Sequence, residues 1–259
     1  MEKLRQQIEQ RLSAVMGDAC FYYENLATGV CFGHAADKPV VAASFIKLAV
    51  LIEAFRQMDA DAVRANEMFV IARTDKLPSC GALNYLHDGL CVTFRDLCVL
   101  MTILSDNTAT NLLIKRLGIG NINDTLRMLG AEKMTLNRLL FDREASSRGI
   151  ENYITAREAG LLLKRLYDGE AVSGPASEDM LSILKDQRLN GKIPFLLPHS
   201  VKIAHKTGED DGITHDVGIV YARQPFIVCF CGEHVSPPEF ERAMQDITLM
   251  LYENAERIR

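Results

Sequence analysis

Strand-like sequence in this chain lies near its two ends, and a long helical pattern separates the two groups. The first group is ACFYYENL (residues 19–26) and VCFGHA (30–35), joined at Ala27-Thr28-Gly29 in what reads as a hairpin turn. The second follows Pro198: SVKIAHKTG, HDVGIVYA and PFIVCFCG. Between them, from Ser44 to about Leu189, the apolar residues recur mostly at helical spacing. Short turns within each group favour antiparallel pairing. The first segment, MEKLRQQIEQRLSAVM, and the last, PPEFERAMQDITLMLYENAERI, read as amphipathic helices, the latter beginning after its prolines. The expectation is an α+β chain forming a single domain over 1–259. Its sheet part takes about 1–43 and 196–259, with terminal helices covering one face, and its helical part about 44–195. A small-molecule site is expected in the cleft between the two parts.

Two capping signals punctuate the helical stretch. Thr93 with Asp96, and Thr155 with Glu158, stand at the box positions of two helices.

Composition narrows the function. At 259 residues and 48% hydrophobic, the chain can bury a sizeable core. The formal charge is −5, without a lysine-arginine run or a basic stripe bearing aromatics, which argues against nucleic acid as a partner. No apolar stretch approaches the length that crosses a bilayer. The N-terminal segment lacks the pattern of a secretory signal. There are seven cysteines, an odd number in a large chain, so buried free thiols are expected rather than a disulfide framework. Cys229-Phe230-Cys231 followed by His234 is the one arrangement that hints at a metal. It lies in an apolar strand without a second pair of ligands, so no metal is expected. No nucleotide or flavin motif is present either, and no cofactor is expected.

Three short motifs carry chemistry. Ser44-Phe45-Ile46-Lys47 opens the helix that continues KLAVLIEAFRQM, and residues three apart share a helix face. A hydroxyl becomes a nucleophile when a neighbour takes its proton, and a desolvated lysine near other cations can do that. Ser105-Asp106-Asn107 lies where two helical runs meet, and Lys206-Thr207-Gly208 closes a strand at a glycine that permits close approach of a ligand. A second serine–lysine pair, Ser182 and Lys185, falls in mid-helix and reads as solvated surface.

In this order, S-x-x-K, S-D-N and K-T-G form the signature of class A β-lactamases and penicillin-binding proteins, and the chain resembles that superfamily over nearly its whole length. SDNTATNLLIKRLG and NYITAREAGLLLKRLY are similar to class A stretches. The resemblance implies a five-stranded antiparallel sheet flanked by terminal helices, with an inserted all-helical subdomain. It implies Ser44 as the acylated nucleophile, Lys47 as its general base or a relay for one, and Ser105 as the group passing a proton to the leaving nitrogen. Asn107 would hold a substrate amide carbonyl. Lys206 and Thr207, with Gly208 giving access, would bind a substrate carboxylate. The backbone N–H groups of Ser44 and Glu209 would form the oxyanion hole. Two lysines beside one serine disfavour each other's charge, and Lys47 is the one expected to be neutral.

The pattern departs from class A in the Ω-loop, where a water-activating glutamate is usual. Here the segment is NRLLFDREASSRGIENYIT, and if Arg138 and Asn152 mark the loop ends, Leu140 stands in that place. Asp142, Glu144 and Glu151 are the nearby carboxylates, with Glu144 the candidate substitute. His215 stands nine residues past Lys206, where an arginine is often found. It is a candidate anion contact or else a partner of Asp216; His205 points away from Lys206 and has no expected role. The resemblance thus leaves open a class A-type β-lactamase with a divergent Ω-loop, a penicillin-binding D,D-peptidase-like acyltransferase, a module that binds a β-lactam without turnover, and an amidase or esterase. The expected partner is a small β-lactam or acyl-D-Ala-like molecule, and a monomer suffices for the site. Cell-wall chemistry lies outside the cytoplasm while the cysteines and the missing signal favour the inside, so localisation stays open between a cytoplasmic protein and an exported one whose signal is removed.

Overall fold

The computed structural model describes residues 2–257. Its elements run α1 (Glu2–Ser13), β1 (Asp18–Asn25), β2 (Cys31–His34), β3 (Val40–Val41), α2 (Lys47–Asp59), β4 (Met68–Ile71), β5 (Leu90–Thr93), α3 (Phe94–Ile103), α4 (Asn107–Leu117), α5 (Ile119–Met128), α6 (Arg143–Ser147), β6 (Tyr153–Ile154), α7 (Ala156–Tyr167), α8 (Gly174–Lys185), β7 (Ile203–Asp210), β8 (Ile213–Val220), β9 (Phe226–Glu233) and α9 (Pro237–Arg257). None of the described helices is long and apolar enough to cross a membrane.

The strand groups from the two ends of the chain join in one five-stranded sheet of order β2-β1-β9-β8-β7, antiparallel throughout. Alternation along the strands divides the core into two layers. Phe21, Tyr23, Val228 and Phe230 pack with Ile8 and Leu12 of α1 and Phe240, Met244 and Leu251 of α9. Cys20, Tyr22, Cys229 and Cys231 face the other way, against the helices of the insertion. All seven cysteines are free thiols, and burial pushes those of Cys229 and Cys231 well up, as befits small apolar fillers.

The helix ends follow their local sequence. Thr93 and Asp96 form a reciprocal capping box on α3. Thr155 caps α7, but Glu158 turns its carboxylate to the N–H groups of Lys133 and Met134, so it anchors a loop instead of closing a box. α9 starts at Pro237, so both prolines sit in its first turn, where a missing N–H costs nothing. The expectation of an all-helical insertion is amended by a two-stranded ribbon, β4 with β5, and by the short β3–β6 pairing. In the ribbon only Ile71 is buried along β4, too little apolar pattern to read as a strand from sequence.

Candidate active site

A tight 3-10 turn over Ala43–Ile46 leads directly into α2 and carries Ser44. Ala43 sits at φ 41° and Ser105 at φ 54°, a conformation that non-glycine residues adopt only when the surroundings hold them there. Around Ala43 the hold comes from Ala42, whose N–H donates to Asn152 O and whose carbonyl accepts from Phe45 N–H. Around Ser105 it comes from Asp106. That buried carboxylate caps α4 at Ala109 N–H and accepts the N–H groups of Ala82 and Leu83 at 2.7 and 2.9 Å. β7 brings in Lys206 from the sheet. Gly208 is required there, since a Cβ at this position would lie 2.9 Å from the His215 ring and 3.2 Å from Phe45 N.

These elements converge on Lys47, whose side chain is buried. Its Nζ lies 2.8 Å from Ser44 Oγ, 2.7 Å from Ser105 O, 3.0 Å from Ser105 Oγ and 2.9 Å from Asn107 Oδ1. Burial, and secondarily the charge of Lys206, holds this amine well below the usual lysine range. A neutral amine has two N–H groups and one lone pair. Ser105 O and Asn107 Oδ1 can only accept, so they take both N–H groups, and the lone pair is left for a hydroxyl proton. Lys206 Nζ donates to Thr207 O at 2.8 Å and approaches Ser105 Oγ at 3.1 Å. Burial lowers it to about 7, with the Asp216 carboxylate opposing the fall and Lys192 adding to it. Ser105 Oγ therefore bridges the two lysines, a path for a proton between them. Asn107 keeps one amide hydrogen on Pro78 O.

A cavity of about 420 Å³ opens above Ser44, bounded by the β7 end, the Asn107 junction and the Ω-loop. Leu140 lines it, held by a reciprocal pair in which Asn111 Nδ2 donates to Leu140 O and Leu140 N–H donates to Asn111 Oδ1, both at 2.9 Å. Asn152 clamps the loop base through the N–H groups of Asn137 and Arg138. None of the three loop carboxylates is both at the cavity and unengaged. Glu144, the expected substitute, is corrected: its side chain is 84% exposed, turns toward Arg148, and is not among the cavity-lining residues. Glu151 is tied to the Arg138 guanidinium and to Ser146 Oγ. Asp142 lines the cavity while capping α6 at Ala145 N–H.

His215 is corrected as well. It is fully buried, with Nε2 donating to Val41 O at 2.8 Å and Nδ1 accepting from Gly232 N–H at 3.1 Å. Burial lowers it to about 4, so it is a neutral clamp between β3 and β9 and not an anion contact. Asp216 pairs with His205 instead, at 2.9 Å, and also accepts from Ile193 N–H. Ser182 and Lys185 are exposed on α8, as their mid-helix setting implies.

Asn111 and Lys192 join the site without belonging to any of its motifs, and Asn152 enters the sequence reading only as a loop end. Asn111 lies one turn past Asn107 on α4, and that spacing marks a shared face. Asn152 stands at the loop end in an unremarkable polar stretch. Lys192 is buried, with Nζ donating to Glu209 Oε1 at 2.7 Å and His215 O at 3.2 Å, so it ties together the ends of β7 and β8. Its only sequence context is a loop, where a lysine is expected in solvent.

Comparison with known proteins gives the family of the chain. The family described as "Beta-lactamase enzyme family" matches residues 3–255. A β-lactamase of Streptomyces lavendulae is 25% identical over 240 residues, covering 89% of this chain and 77% of that protein. The crystal structure of a β-lactamase from Sphaerobacter thermophilus superposes with TM-score 0.90 at 28% identity, covering 100% of this chain and 98% of the other. A leucine-to-glutamate variant of PBP-A, an acyl-enzyme complex with penicillin G, superposes with TM-score 0.89 at 26% identity, covering 100% and 98%. The chain belongs to the beta-lactamase enzyme family and is a serine β-lactamase-like hydrolase.

Proposed function

We propose that this enzyme is acylated at Ser44 by β-lactams and by amides of the acyl-D-alanine type, and that it releases the β-lactam acyl group slowly. Neutral Lys47 takes the Ser44 proton as Oγ attacks the amide carbon. The N–H groups of Ser44 and Glu209 bind the oxyanion. Ser105 delivers a proton to the leaving nitrogen, resupplied through the lysines it bridges. Lys206 and Thr207 hold the substrate carboxylate, and Asn107 its amide.

The observation that carries slow release is the Ω-loop. On this reading Leu140 stands where class A enzymes carry the water-activating carboxylate; Asn111 holds its backbone at the cavity, Glu151 pairs with Arg138 and Glu144 faces solvent. An acyl-enzyme without a general base loses the hundredfold or larger gain such a group gives, on the order of 10²–10⁴. The reading therefore sits nearer a penicillin-binding acyltransferase than an efficient class A β-lactamase.

The test is intact mass against time after mixing with benzylpenicillin, with hydrolysed product followed in the same tube. A mass gain that persists for hours and is absent in Ser44→Ala supports the reading. Decay within seconds with accumulating product overturns slow release and shifts the assignment to class A-type turnover, with Asp142 or Glu151, the loop carboxylates that line the cavity, activating water. Labelling that survives in Ser44→Ala overturns the nucleophile.

A further inference from the structure

Asp18 opens β1 and Glu233 closes β9, and the two stand directly opposite each other in the antiparallel pair. Like charges so placed repel. Each carboxylate has one oxygen held from outside the pair: Lys38 Nζ donates to Asp18 Oδ1 at 2.5 Å, and Val41 N–H donates to Glu233 Oε2 at 3.3 Å. The imidazole of His234 comes to the same place. Its Nδ1 lies 3.5 Å from Asp18 Oδ2, and one ligand atom from each of Asp18, Glu233 and His234 lies within 4.8 Å of the other two. The imidazole rides on a fixed backbone. His234 sits at φ 55°, its neighbour Val235 donates its N–H to Gly212 O at 3.1 Å, and Gly17, next to Asp18, passes so close that a Cβ there would run into His234 O.

A separation of 3.5 Å is long for a hydrogen bond. It is close to the edge of a zinc tetrahedron, about 3.4 Å for oxygen and nitrogen ligands bound at about 2.0–2.1 Å. Two carboxylates and an imidazole are a donor set that zinc takes, and an outer donor on each ligating carboxylate is the usual support of such ligands. We propose that Asp18, Glu233 and His234 bind one zinc ion, with water completing the tetrahedron on the solvent side, where the His234 side chain is 78% exposed. His234 carries the sequence's one hint of a metal, but its partners are these carboxylates, while the thiols of Cys229 and Cys231 are buried in the core. The site is separate from the cavity above Ser44, which none of the three residues lines. It bears on that cavity through β3. Glu233 holds Val41 N–H and His215 donates to Val41 O, so the ion pins the strand that leads into the Ser44 turn.

Calorimetric titration of the metal-free full chain with zinc chloride at neutral pH reads affinity and stoichiometry, and one ion per chain is expected. Loss of a group that merely supports a ligand costs about tenfold in affinity, so Asp18→Asn, Glu233→Gln and His234→Gln are each expected to weaken binding by about tenfold or more. Zinc is expected to raise the melting temperature of the wild type and not of the variants, whose melting temperatures without zinc check that each has folded. Cobalt(II) in place of zinc reads the donors: the spectrum of an oxygen–nitrogen site is expected, free of thiolate charge transfer. Absence of zinc binding by the wild type, binding that any of the three variants leaves unchanged, or a thiolate charge-transfer band marking an adventitious cysteine site overturns the inference.

Discussion

Lys47 and Lys206 are chemically alike and are buried within reach of the same hydroxyl, yet the proposed mechanism asks opposite charge states of them. Lys47 must be neutral to accept the Ser44 proton, and its two N–H groups are consumed by carbonyl-type acceptors. In the proposed mechanism Lys206 is charged to hold a carboxylate, and burial leaves it at about 7. The rate constant for acylation of free enzyme by benzylpenicillin is therefore expected to fall as pH rises through about 7, since that constant reports free-enzyme groups. In Lys206→Arg the guanidinium stays charged, and the decline near neutrality should vanish even if the absolute rate drops. Stopped-flow acylation across about pH 5.5 to 9 reads this; an unchanged alkaline limb in the arginine variant would assign it to another group. These residues were legible in the sequence because each tripeptide is local: a helix start, a helix junction and a strand end impose their own geometry. His215 was not. Adjacent residues of a strand point to opposite faces, so His215 and Asp216 cannot share a partner surface, and the partner of Asp216 is fixed by the β7–β8 register that also sets Thr207 opposite it.

At the level of elements, the Ω-loop and α7 show two ways in which close approach decides behaviour. The Asn111 side chain holds the Leu140 backbone at the cavity, while the half-buried Leu140 side chain packs against the core, so the side chain can change without loss of the Asn111 clamp. Leu140→Glu is expected to shorten the life of the penicillin acyl-enzyme by about tenfold or more, with acylation at Ser44 retained. The mass time course measures it, and an unaltered decay would mean that the carboxylate does not reach the acyl carbon. On α7, Gly160 lets the helix lie directly on the sheet: an added Cβ would stand 2.5 Å from the Tyr22 ring. Gly160→Ala gains about 1 kcal/mol of helix propensity. It is still expected to destabilise the fold by about 1–2 kcal/mol, because the ring is packed in the core and the helix must lift. Urea unfolding gives the sign, and a stabilised variant would show that the ring yields freely. The sequence announced the helices through periodicity and caps, but not the β4–β5 ribbon or the destination of Glu158. Both depend on which distant backbone groups need partners, information that a local pattern does not carry.

For the whole molecule, the site is a stability burden that changes with pH. Lys206 has the ordinary lysine value of 10.5 when unfolded and about 7 when folded, where burial disfavours its charge. Between these values the unfolded chain binds more protons than the folded one, so stability rises as pH rises through that window. Lys47, held well below its ordinary value by the same cause, acts in the same direction. Each such group contributes a slope of up to about 1.4 kcal/mol per pH unit within its window. Lys206→Met removes one of them and leaves an apolar chain of similar length in the same packed place. The variant is expected to be more stable than wild type at about pH 7, with an advantage that shrinks by roughly 1 kcal/mol per unit toward pH 9. Urea unfolding of both proteins across that range tests this. Parallel stability curves would show that Lys206 is protonated to the same extent folded and unfolded. A cationic lysine at that position would then be compatible with its buried setting at alkaline pH, and the neutral decline in acylation would need another source.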